Sequence, residues 1–329
     1  MIFDGHADIW TDITNKYIVK NMRDVFRENH LKKFEAGNVD GGIFVIWVDP
    51  PYDEDPVARV AQIVECMQHE IKSSKDILKV IKNHEDYANV EDTRIKVLIG
   101  MEGLSHIDTN IILLQQYYEL GVRHASLTWN EENKLATGIL GNRKRGLTPY
   151  GRSAIKKIEE LGMLFDVSHL NDRSFWDAVD IVSKPIIASH SNARALCTHD
   201  RNLDDLQLKS IADSGGIIGV NSFRSFVHES RSKQNIDGLV AHIKYIANLI
   251  GIDHVAFGFD FCDFINDTTM NHFNDPASLK PGAGVDGLND VSQVNQLITV
   301  LRNSGFSKNE IEKIAYKNYD RVIKAVLKQ

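Results

Sequence analysis

Eight short runs of apolar and β-branched residues recur along the chain, with stretches of helical spacing between them. They are Ile2 to Asp8, Gly41 to Val48, Ile95 to Glu102, Arg123 to Trp129, Met163 to His169, Pro185 to His190, Gly216 to Asn221 and His254 to Asp260. Most are dense in Val, Ile, Leu and Phe, the pattern of parallel strands buried on both faces. The spacers Asp55 to Glu70, Tyr150 to Leu161, Asp204 to Ser214 and Asp237 to Ile250 read as helices, and Thr148-Pro149 is a good helix start. Such alternation leaves two architectures, a closed barrel or a doubly wound sheet. The ends of the runs favour the barrel. Asp8, Glu102, Trp129-Asn130, His169, His190, Asn221 and Asp260 are polar or metal-capable. In a barrel they converge on one mouth, where active sites sit; in an open sheet they would spread along an edge. The expected fold is therefore α/β, a (β/α)8 TIM-type barrel, with extra C-terminal helices between Ser307 and Lys328.

The 329 residues suit one such domain spanning 1–329, since a barrel takes about 250 residues and more with insertions. The hydrophobic fraction of 43% and charged fraction of 25% are those of a soluble globular chain. A net charge of −7 argues against nucleic acid as the main partner, because phosphate binding needs a basic face. The basic cluster Asn142-Arg143-Lys144-Arg145 reads as a solvated loop. Cys66, Cys197 and Cys262 are scattered, with no CxxC pair, so neither a disulfide framework nor a thiolate metal cluster is indicated. No GxGxxG or GxxxxGK[ST] follows an early strand, which removes support for a dinucleotide or triphosphate site. The start MIFDGHADIW lacks a signal peptide's features, and no run of about 18 apolar residues occurs. A cytoplasmic protein without membrane attachment is the expectation. The longest expected loops are Asn130 to Thr148 and Cys262 to Asp290, the second lying over or beside the mouth.

Strand side chains alternate, so His6 and Asp8 project together from one strand end. Imidazole and carboxylate suit zinc or a similar divalent ion. Equally, Asp8 could cap the following turn and His6 could be a bonded core histidine. Glu102 closes an apolar strand, where a carboxylate is costly unless paired or coordinated, and one carboxylate can bridge two metals; a helix-capping role is the alternative. His169 and His190 end consecutive strands, each after a serine. Alone, each reads as a core histidine. Together with His6, Asp8 and Glu102 they read as a metal site. Asp260 ends the last strand, where a carboxylate beside metal can serve as general base and then acid, or else as a structural loop anchor. Arg201 could clamp a substrate carboxylate, although composition alone favours a surface salt bridge.

At these residues the sequence resembles the membrane dipeptidase (renal dipeptidase) family of zinc peptidases. The match runs through Asp4-Gly5-His6-Ala7-Asp8, Lys33 to Gly42, Met101-Glu102-Gly103, Gly121-Val122-Arg123, Leu127-Thr128 and Gly146 to Gly151. Asp166-Val167-Ser168-His169, Ser189-His190-Ser191, Arg201-Asn202, Val220-Asn221 and Gly258-Phe259-Asp260 complete it. Their order and spacing are specific where each motif alone is not. The resemblance implies two Zn2+ ions, one held by His6 and Asp8, the other by His169 and His190, with Glu102 bridging both. It implies that Asp260 handles the proton and Arg201 holds the substrate's terminal carboxylate. It implies small dipeptide substrates, with tolerance for a D-residue at the C-terminal position, and a possible homodimer.

One departure concerns substrate. Animal members carry a histidine after Leu-Thr on the fourth strand, near the developing oxyanion; here that position is Trp129. Its role could pass to Trp129, to Asn130 or to metal alone, and Asn221 counts with them as a substrate-facing strand end. Rival readings are another amidohydrolase-type activity, such as cyclic amide opening or base deamination, and a degenerate binding barrel. The first often uses a carboxylated lysine bridge, and no lysine closes a strand here; the second would have lost ligands.

Overall fold

The computed structural model describes residues 1–264 and 283–328. Eight parallel strands follow one another around a nearly closed barrel in the order β1-β2-β4-β5-β6-β7-β8-β9. They are β1 (Phe3–Ala7), β2 (Gly41–Trp47), β4 (Ile95–Glu102), β5 (Val122–Ser126), β6 (Leu164–Asp166), β7 (Ile186–Ala188), β8 (Ile217–Val220) and β9 (Val255–Phe257). Each falls inside one of the apolar runs or within a residue of it. A further strand, β3 (Leu78–Val80), pairs only with β4. It was not expected, because three residues with a lysine at the centre carry too little apolar signal.

The ladders end earlier than the runs. In the run to His169 pairing stops at Asp166, and in the run to Asp260 it stops at Phe257. His169 and Asp260 then adopt left-handed backbone, with φ of 70° and 57°. Such conformations are costly for residues with a Cβ and recur where a site dictates side-chain aim. The chain thus leaves the sheet before presenting its polar end.

The seam between β1 and β9 is closed by Asp4. Its Oδ1 accepts from the Phe259 N–H at 2.8 Å and the His6 N–H at 3.3 Å. The Asp260 N–H donates to the His6 carbonyl at 3.3 Å. Burial pushes the Asp4 carboxyl up to about 7.

Phe3, Ile43, Val45, Leu98, Leu164, Ile187, Ile217 and Ala256 fill the barrel interior, together with Tyr319 and Val322 of the closing helix Asn318–Val326. The Tyr319 hydroxyl donates to the Phe257 carbonyl at 3.1 Å. Gly5 makes this approach possible, since a Cβ there would lie 1.9 Å from the Tyr319 oxygen. A second apolar shell joins the barrel's outer face to its helices, for example Ile155 and Ile158 of Pro149–Leu161 and Leu208 and Ile211 of Asp205–Asp213.

The helix starts follow their capping residues. Asp55 caps Pro56–Ser73, Thr148 caps Pro149–Leu161, and Asp204 forms a capping box with Gln207. Helices at Ile9–Lys20, Leu113–Leu120, Asp172–Val179 and Val294–Asn303 add to those read from spacing. The 130–148 segment is irregular, as expected; of the Cys262 to Asp290 loop, 265–282 lies outside the described residues. Among the described residues no helix is long and apolar enough to cross a membrane.

Candidate functional site

At the carboxyl end of the barrel, five side chains from four strand ends meet. His6 lies in β1, and Asp8 begins the following helix without capping it: its side chain makes no cap hydrogen bond. Glu102 closes β4 and caps no helix either. Its Oε1 lies 2.8 Å from His169 Nε2 and 3.5 Å from both His6 Nε2 and His190 Nε2. The Nε2 atoms of His169 and His190 are 2.8 Å apart. His6 Nε2 stands 3.9 Å from Asp8 Oδ1. Donor atoms of His6, Glu102 and His190 fall within 4.8 Å of one another, as do those of His6, Asp8 and Asp260.

All five side chains are buried. Both ring nitrogens of His6 and Oδ1 of Asp8 are buried with no hydrogen-bond partner among the described residues. A buried polar atom without a partner costs about 1–3 kcal/mol, so a group of them demands a physical reason. Each imidazole of the cluster, when neutral, offers one nitrogen lone pair and each ionised carboxylate offers its oxygens, and this donor set fits divalent cations.

The buried charges act on one another. Burial opposes charge on His6, yet Glu102, Asp8 and Asp260 outweigh it and push the imidazole up to about 10. Burial and the neighbouring Glu102 raise the Asp8 carboxyl. Burial opposes ionisation of Glu102 too, but His6 and His169 hold it well below the usual carboxylate range. Burial lowers His169 and His190, helped by Arg201 for the first and by His6 for the second.

Asp260 reaches the cluster from beyond β9. Its Oδ2 accepts from Asn221 Nδ2 at 3.0 Å. Asn221 is itself fully buried, and its Oδ1 accepts from the Phe223 N–H at 2.6 Å. Asn130 Oδ1 lies 2.8 Å from His169 Nδ1. Trp129 packs 5.3 Å from the Trp47 ring and 6.3 Å from the His169 ring, forming one wall of the mouth.

Arg201 is not on the surface, as composition suggested. It is 4% exposed, with Nη2 3.1 Å from His169 Nε2 and 3.2 Å from the His190 carbonyl. Among the described residues no carboxylate lies within 4.0 Å of it, and its Nε has no partner. The irregular segment 191–201 carries it inward, which no local pattern announces. In the basic cluster, Arg143 and Lys144 are exposed as expected. Arg145 instead ties the 130–148 segment together through the Ala136 and Asn133 carbonyls at 3.0 and 2.7 Å.

Sequence reasoning gave no role to three buried polar residues beneath the cluster, His124, Asp166 and Ser189. A signal existed: Asp166 interrupts Leu164-Phe165-Asp166-Val167, and a carboxylate inside a buried strand needs partners. Asp49 and Arg59 form another buried pair, with Arg59 Nε donating to Asp49 Oδ1 at 2.7 Å.

The model of one protein family, described as membrane dipeptidase (peptidase family M19), matches residues 1–329. A protein of Klebsiella pneumoniae, described as an uncharacterized protein in the pqqA 5' region, is 33% identical over 285 residues, covering 84% of this chain and 98% of that one. An uncharacterized dipeptidase of Schizosaccharomyces pombe is 35% identical over 237 residues, covering 70% of this chain and 53% of its own length. Among solved structures, a metallopeptidase from Rhodobacter sphaeroides, liganded with a phosphinate mimic of the dipeptide L-Ala-D-Ala, superposes with a TM-score of 0.85. It is 22% identical, covers 99% of each chain and so attests the shared fold.

Proposed function

This chain belongs to the membrane dipeptidase family, and from that premise we propose that it hydrolyses the peptide bond of dipeptides with two divalent metal ions, zinc in the first instance. One observation carries the reading: the His6 ring nitrogens and Asp8 Oδ1, buried and unpartnered among the described residues, stand beside Glu102, His169 and His190 at a single barrel mouth. In this reading His6 and Asp8 would hold one ion, His169 and His190 would hold the other, and Glu102 would serve both. Bound there, divalent cations supply Lewis acidity, polarising the scissile carbonyl and acidifying the attacking water.

The chain's own residues do the rest. Arg201, buried with no carboxylate within 4.0 Å among the described residues, receives the substrate's terminal carboxylate. That contact sets the distance from the free carboxylate to the cluster and so favours dipeptides over longer peptides. Asp260 accepts the proton of the attacking water and passes it to the departing amine nitrogen. Asn221 keeps the Asp260 carboxylate aimed by holding one of its oxygens. Asn130 orients His169, and Trp129, whose ring lies 6.3 Å from that of His169, bears on which side chains enter.

The test is a dipeptide panel assayed with metal-stripped and zinc-reloaded protein. L,L- and L,D-dipeptides belong in it, the latter because a protein of the same fold binds a mimic of L-Ala-D-Ala. Hydrolysis lost on stripping and restored by zinc is expected. Full turnover in stripped protein overturns the metal role, and no hydrolysis of any dipeptide overturns the substrate class.

A further inference from the structure

His124 on β5, Asp166 at the end of β6, and Ser189 and His190 just past β7 form a chain of contacts in which no member is more than 1% exposed. Asp166 Oδ1 accepts from the backbone N–H of Ser168 at 2.9 Å and of Ser189 at 3.0 Å. Its Oδ2 accepts from the Ser189 hydroxyl and lies 3.1 Å from His124 Nε2. An ionised carboxylate only accepts, at about four lone-pair positions. All are taken here, so each neighbour must point a hydrogen at it. Burial opposes that ionisation, but His124 and Ser189 outweigh it and hold the carboxyl far below its usual range.

The consequence passes along the chain. Ser189 has one hydroxyl hydrogen, and it is committed to Asp166. The Ser189 oxygen can therefore only accept from His190 Nδ1, which lies 2.7 Å away. A neutral imidazole carries one N–H, so with Nδ1 protonated Nε2 must present a lone pair. Nε2 is the atom that faces His169 and Glu102. His124 is placed with equal care. Its Nδ1 rests against Gly100, where a Cβ would lie 2.6 Å from it.

We propose that Asp166 and Ser189 are positioning residues: they hold His190 in the Nδ1–H tautomer and thereby set the affinity of the mouth for a divalent cation. The affinity clause rests on the reading of His190 as a metal ligand, whereas the tautomer is a property of this chain by itself. Groups of this kind, bonded to the far nitrogen of a ligating histidine, are worth about 10- to 100-fold in metal affinity.

Two measurements test it on the full chain. With 15N-histidine labelling, long-range proton–nitrogen correlation before and after zinc addition should show His190 with its hydrogen on Nδ1. A hydrogen on Nε2 in the wild-type protein overturns the proposal, and this result needs no variant to fold. In competition with a chromophoric chelator, Ser189→Ala, shown by circular dichroism to be folded at the assay temperature, should bind zinc about 10- to 100-fold more weakly than wild type. Equal affinity overturns the positioning role. A wild-type chain that takes up no zinc overturns the metal reading instead, and the tautomer measurement still decides the relay.

Discussion

Arg201→Ala separates the substrate clamp from every other role this residue could have. The guanidinium is 4% exposed and, among the described residues, has no carboxylate within 4.0 Å. A substrate carboxylate would be its counterion. One or two charge-assisted hydrogen bonds, at about 2 kcal/mol each, put the loss on truncation at about 2–4 kcal/mol. At about 1.4 kcal/mol per decade this is roughly 30- to 1,000-fold in kcat/KM. It should fall mainly on KM, because the contact is made equally in the ground and transition states. The assay compares a free-acid dipeptide with the same dipeptide amidated at its C-terminus. The variant should lose the full factor on the acid and little on the amide. Protein stability should hold or rise, since an unpaired buried charge is removed. Equal losses on acid and amide would refute the reasoning. Arg201 would then act through His169, 3.1 Å away, and not through the substrate.

Two further outcomes are expected. His169→Ala or Glu102→Ala should abolish turnover and lower bound zinc, measured by elemental analysis of protein purified without chelator; full activity at normal metal content contradicts their assignment as ligands. His242 is fully buried, accepts from the Ala193 N–H at 3.1 Å and lies 2.8 Å from the Val227 carbonyl, and burial pulls its imidazole down to about 4. Its unfolded value is about 6.5, so the stability it supplies is complete above that pH. As pH falls from about 6.5 to 4 the unfolded chain takes the proton first, and roughly 3 kcal/mol is lost. Urea unfolding across that window should show a smaller decline in His242→Gln than in wild type; identical slopes refute the shift.

The barrel was legible because its strands are buried on both faces, which forces dense apolar runs, and because eight of them recur in order. Capped helices were legible for a similar reason, since Asp55, Thr148 and Asp204 act on neighbours within a few residues. β3 and the helix Asp172–Val179 were not legible: the first is too short, and the second hides in a polar stretch. The five strand-end donors could be named from sequence because a strand delivers its last side chains to one known place. Their identity is a local property of each run.

Orientation is not local. That the His6 ring nitrogens and Asp8 Oδ1 lack hydrogen-bond partners among the described residues, that Arg201 turns inward, and that Asn221 serves Asp260 all depend on residues far apart in the chain. The tautomer of His190 depends on a carboxylate 24 positions earlier, reached through a hydroxyl with a single hydrogen to give. By itself, then, the sequence determined which polar side chains stand at the strand ends, since burial and periodicity act along the chain. Only the closed barrel decided which way those atoms face, since hydrogen-bond direction is settled between strands and across the mouth.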